Sequence, residues 1–205
     1  MNCRTSTGLI ACLLLAVSNA PGQDVLVVDQ ASGDLTEPVV NGSRIPENGV
    51  AQSFTPSLSA VGFVQLRPLV TLPGGSTVDV VVHLRGGSFD GPILGTTTRS
   101  TIVGSAPLET LYFPANIPVT AGQLYFFEPV LQSSGSLSIG TKDPSPYLGG
   151  NLWGNGVPSP TGDLWFREGV VVPEPGFTLL SLLSAATALG LRISRGRSPR
   201  ETLRR

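Results

Sequence analysis

Between residues 24 and 172 no run of ten residues carries a helical pattern, and Gly and Pro recur too densely to allow one. Turn-forming clusters fall at Pro73-Gly74-Gly75, Gly86-Gly87, Asp90-Gly91-Pro92, Thr120-Ala121-Gly122 and Ser133-Ser134-Gly135. Short runs of β type lie around them, at 25–29, 50–55, 61–69, 76–84, 100–103, 110–113, 123–131, 136–140 and 164–171. Within 77–84, Val78, Val80, Val82 and Leu84 fall on one face; Thr77, Asp79, Val81 and His83 fall on the other. One buried face and one half-wet face suit antiparallel sheets packed in layers. The expected fold is all-β: a two-sheet antiparallel β-sandwich of jelly-roll type. Asn41-Gly42-Ser43 matches a glycosylation sequon, but Asn-Gly is equally a hairpin turn, and the turn is preferred.

Charge divides the chain. The net formal charge of −1 averages unlike segments. Residues 23–172 carry six Lys and Arg against twelve Asp and Glu, whereas 176–205 carry six Arg and one Glu. An acidic body has no basic patch with which to neutralise phosphates, which argues against nucleic acid as a partner. A basic tail on such a body points to a membrane face or a targeting device. Both cysteines, Cys3 and Cys12, precede the body, so the body holds no disulfide of its own.

The two ends read as signals. Arg4 precedes the apolar run 8–17, and small residues follow at Ser18-Asn19-Ala20 and Ala20-Pro21-Gly22. That is the pattern of a secretory signal peptide over 1–22, with cleavage after Gly22 preferred to cleavage after Ala20 because Pro21 is awkward just past a cut. Cys12 fits a lipoprotein box only loosely and reads as one more apolar residue of the run. At the other end, Val172-Pro173-Glu174-Pro175 leads into an uncharged stretch over 176–191, then into an arginine-rich tail over 192–205 that includes Arg192, Arg195 and Arg197. The uncharged stretch reads as a single transmembrane helix over 176–191; it is slightly short for a bilayer core, but flanking arginines can snorkel. Arginines favour the cytoplasmic side, which leaves the body, 23–171, outside the membrane.

This arrangement resembles the PEP-CTERM sorting domain of Gram-negative bacteria that make exopolysaccharide. The residues carrying the likeness are Pro173-Glu174-Pro175, the apolar run 177–191 and the arginines from Arg192 onward, about the last thirty-four residues. The resemblance implies recognition by an exosortase, a membrane-embedded cysteine peptidase that cuts near the motif and releases or re-anchors the protein. It implies a precursor anchored in the inner membrane with its body in the periplasm, then a cell-surface or extracellular product. The basic segment here is longer and more dilute than a compact arginine cluster. The stretches 51–56, 80–85 and 119–126 also resemble, in pattern alone, small sandwich domains found with such tails and in carbohydrate-binding modules.

Chemistry is sparse. His83 is the one histidine; it sits mid-strand, and no Gly-x-Ser-x-Gly elbow occurs. Zinc is implausible with one His and no Cys in the body. Asp79, Asp90, Glu128, Asp163 and Glu168 lie in or beside strands, and a glycosidase needs only two carboxylates, yet no spacing selects a pair. Asp24, Asp29 and Asp34 offer oxygen ligands that would suit a structural Ca²⁺, without any EF-hand spacing. The aromatic-bearing loop 147–156 is too Gly-rich to be a strand, and Trp153 and Tyr147 there could stack on a sugar, with Asn151 and Asn155 bonding its hydroxyls. Trp165 alternates with Leu164 and Phe166 and reads as core. The leading expectation is a non-enzymatic envelope or matrix protein with a structural or adhesive role. A carbohydrate-binding module that contacts exopolysaccharide is the second, and a secreted glycan hydrolase the third.

Overall fold

The computed structural model describes residues 24–36, 39, 41–45, 49–69, 77–103, 108–144 and 147–173. The expectations for 1–22, for Glu174 and Pro175, for the 176–191 helix and for Arg192, Arg195 and Arg197 lie outside the described residues. One compact unit spans Leu26–Val172.

Among the described residues the fold is all-β, with no helix. A four-stranded sheet has the order β1 (Val25–Ala31), β14 (Phe166–Val172), β4 (Ala60–Leu66), β8 (Glu109–Pro118). The largest sheet runs β12 (Val157–Pro158), β11 (Leu152–Gly154), β3 (Val50–Phe54), β9 (Tyr125–Leu131), β5 (Thr77–Gly86), β6 (Ile93–Thr96), and β7 (Ser100–Val103) also pairs with β5. The third joins β13 (Asp163–Leu164), β10 (Leu137–Lys142) and β2 (Asn41–Ile45). Each of these sheets contains antiparallel pairs.

Alternation builds the core. Val78, Val80, Val82 and Leu84 of β5 are all buried, whereas Thr77 is exposed and His83 half-buried. Val81 is buried as well, on the opposite face, so β5 is covered on both sides at its centre. Phe127 of β9 meets Phe166 of β14 with ring centroids 5.0 Å apart, which joins the largest and four-stranded sheets through one apolar cluster. Ile45, Leu137, Ile139 and Leu164 bring the third sheet into the same cluster.

Three local expectations are corrected. Asn41-Gly42-Ser43 is not a turn but the start of β2, with Gly42 opposite Gly140. The Asn-Gly turn lies instead at Asn155-Gly156, where both residues have positive φ (52° and 75°) and join β11 to β12. Those signs at both central positions are what a two-residue type I′ hairpin requires. The 147–156 stretch is not devoid of strand, since Leu152–Gly154 pairs with β3. The expected strand over 164–171 divides at Trp165: β13 pairs with β10, β14 pairs with β4, and the chain changes sheets between them. Trp165 is fully buried, with Arg67 over its ring.

Candidate functional site

The stretch leading to β11 is stitched to β3. The Ser53 amide donates to Asn151 O (2.9 Å), and the Asn151 amide donates to Ser53 Oγ (2.8 Å). The Thr55 amide donates to the Tyr147 hydroxyl (3.1 Å), and Thr55 Oγ1 donates to Gly149 O (2.9 Å). These bonds turn Tyr147 inward. It is 7% exposed and meets Phe166 edge-on at 5.1 Å, so it belongs to the core and offers no stacking face to a sugar. Burial pushes its hydroxyl up to about 12; the Thr55 amide opposes that, and Glu168, Asp29 and Asp163 add to it.

Asn151 lies just before β11 and Trp153 at its centre, with Asn155 at the hairpin tip. Asn151 and Asn155 are exposed. Trp153 is half-buried: its indole stacks on Phe89 at 6.2 Å, meets Phe126 edge-on at 5.3 Å and donates through Nε1 to Ser53 Oγ. Its ring is engaged within the protein, so it is not the flat open platform that stacking on a sugar requires. Of the four proposed contacts, the structure gathers three along one hairpin and removes Tyr147 from them.

Beside that hairpin lies an open cleft of about 540 Å³, walled by Gly42 and Ser43 of β2, Val50 of β3, and Trp153, Val157 and Ser159. Its volume lies within the range of small-ligand sites. No charged side chain appears among the described residues that line it. These residues offer hydroxyls, main chain and apolar surface to the cleft.

Four of the acidic residues, Glu128, Asp79, Asp163 and Asp29, are engaged by partners within the fold. Glu128 is bonded to Arg85 (2.8 Å), and Asp79 to Thr101 (2.6 Å) with Arg99 at 3.5 Å. His83 shares a hydrogen bond with Thr96 (2.9 Å). Asp163 is fully buried, accepting from Gln52 Nε2 (2.9 Å) and from the Tyr147 amide (3.2 Å). Asp29 accepts from the amides of Ser57 (2.7 Å) and Leu58 (2.9 Å) and from the Ser57 hydroxyl. Burial pushes the Asp29 carboxyl up, but the bonds from Leu58, Ser57 and Gln30 outweigh it and hold the group below its ordinary range. Asp29 is thus committed to the turn between β3 and β4. Among the described residues no group of three or more His, Cys, Asp or Glu is placed to hold a metal, so Asp24, Asp29 and Asp34 do not come together as one such group.

Glu168 is the exception among these groups. It is fully buried on β14, and neither carboxylate oxygen has a hydrogen-bond partner. Burial pushes its pKa up to about 8, and the negative charge of Asp29 adds to the shift. Its position was legible in principle, because Glu168 lies two residues from Phe166 and shares its core-facing side.

The last strand of the body ends just before Pro173. Val172 is the last residue of β14 and is 43% exposed, and Pro173 is exposed after it. No protein-family model matches the chain, and no curated protein matches it.

Proposed function

We propose that the chain is an exported envelope or matrix protein whose body is sorted, and cut near Pro173-Glu174-Pro175, by an exosortase, with a structural or adhesive role. The observation that carries this is the order of features after Val172: the motif, a stretch over 176–191 without charge, then six arginines. The sign reversal between the acidic body and the arginine tail supports an outside body and a cytoplasmic tail. The compact unit closes at Val172, the residue at which the motif begins in the sequence. We take the body as a jelly-roll-like β-sandwich, because β3, β4 and β5 alternate between the largest and four-stranded sheets, as do β8 and β9. In a host carrying the exosortase the body is expected in the surface or extracellular fraction, and in a host lacking it at the inner membrane. Equal distributions in the two hosts would remove sorting from the account.

Contact with exopolysaccharide is the second reading, favoured by the cleft between β2 and the β11–β12 hairpin, whose described lining residues carry no charge. The substitution Ser159→Trp fills that cleft while leaving the Phe89–Trp153 stack in place. Loss of binding to a neutral polysaccharide on a glycan array, with the melting temperature unchanged, is the expected result. Undiminished binding places the contact elsewhere.

A further inference from the structure

The end of β14 is held in an unusual way. Its pairing with β4 runs from Phe166 opposite Leu66 to Gly169 opposite Phe63. Just beyond, the pairing of β4 with β8 shifts register between Val61 and Phe63. At this irregularity the Asn116 side chain of β8 reaches past β4 to β14. Asn116 Nδ2 donates to Val171 O (2.9 Å), and Asn116 Oδ1 accepts from the Val171 amide (3.1 Å). A primary amide carries the same donor and acceptor as a peptide group, so Asn116 stands in for one step of the missing ladder. Gly62 makes the space. A Cβ there would sit 1.9 Å from Asn116 Oδ1 and 2.8 Å from the Val171 nitrogen. Both bonds are solvent-exposed, and Val171 lies two residues before Pro173.

We propose that the Asn116–Val171 pair is a clamp that governs how often the end of β14 peels away, and so how readily the chain is cut beside it. This rests on the reading that the chain is processed near the motif. Peptidases take substrate as an extended strand, and a segment already hydrogen-bonded in its own sheet competes with that. When opening is fast relative to cleavage, the rate follows the open population. On its β4 side this segment is held by two exposed hydrogen bonds, with β1 as its hydrogen-bonded neighbour on the other side, so loss of the two raises the open population by about ten-fold.

The test uses the full chain in detergent, comparing wild type with Asn116→Ala and Asn116→Asp. Aspartate keeps an acceptor for the Val171 amide and loses the donor to Val171 O. Hydrogen exchange at Val171 is expected to rise about ten-fold in Asn116→Ala and by less in Asn116→Asp, with exchange at Phe166 and Glu168 unchanged. Nicking by subtilisin within 170–173 should accelerate in parallel, as should processing in the native host. Unchanged exchange at Val171 overturns the clamp. Faster exchange with unchanged nicking and unchanged host processing overturns its control over cleavage. If the wild-type chain is never processed in its host, the sorting reading fails on its own, and exchange with subtilisin nicking still decides the clamp.

Discussion

Replacing Glu168 with Gln is expected to flatten the fall in stability from about pH 5 to about pH 9 that the wild-type protein shows. The cause is a carboxyl buried without a partner. In the unfolded chain Glu168 ionises near the ordinary value of 4.5, whereas in the fold its pKa is about 8. Between those values the folded state holds a proton that the unfolded state has released, so stability falls as pH rises. The contribution is complete below the unfolded pKa and is lost through the folded one. The slope is on the order of 1 kcal/mol per pH unit, amounting to roughly 2–4 kcal/mol across the window. Asp29 and Tyr147 face the same region. The lowered pKa of Asp29 acts on the acid side, and Tyr147, at about 12, ionises above the window. Urea denaturation at a series of pH values reads the effect directly. Glutamine, a neutral shape match, should lie close to wild type near pH 5 and above it near pH 9. Parallel wild-type and variant profiles would mean that Glu168 is ionised or partnered in the fold.

Gln52→Leu is the second large effect. Gln52 is fully buried in β3 and bonds three groups: its Nε2 donates to Asp163 Oδ1 (2.9 Å) and to Ser53 O (3.1 Å), and its Oε1 accepts from the Leu164 amide (2.8 Å). Leucine matches it in size but takes a donor from a buried carboxylate and an acceptor from a buried amide. Removing one side of such a network costs about 2–4 kcal/mol, more than the hydrogen bonds contribute net, because the remaining groups stay desolvated. The same Asp163 accepts from the Tyr147 amide, so the stretch that Tyr147 anchors should loosen first. The expected readings are a lower urea midpoint and faster exchange over 147–151. A change below about 0.5 kcal/mol would show that the network adds little to stability.

Much of the fold was legible where side chains alternate in water-facing and core-facing rows. The β5 pattern of Val78, Val80, Val82 and Leu84 is an example, whereas Trp165 is buried together with both its neighbours at the break between β13 and β14. Turn chemistry misled at Asn41-Gly42, because Asn-Gly favours a hairpin locally while pairing with β10 decides the outcome. The hairpin around Asn155-Gly156 was hidden by its strand length, only three residues in β11. Trp153 and Tyr147 looked alike in sequence, but the Thr55 amide draws one ring into the core and Phe89 covers the other. Gln52 and Asn116 carried no signal at all. Their partners lie 111 and 55 residues away, and a polar side chain that bonds across such distances has no local pattern.

The proposed function joins these parts: an acidic β-body that ends at Val172 would hand the chain to a sorting segment. Intact mass spectrometry of the protein purified from its native host tests that most directly. The account predicts a mature chain whose C-terminus falls near Pro173–Pro175, recovered outside the inner membrane. A chain that retains Arg192, Arg195 and Arg197 and stays in the inner membrane would contradict it.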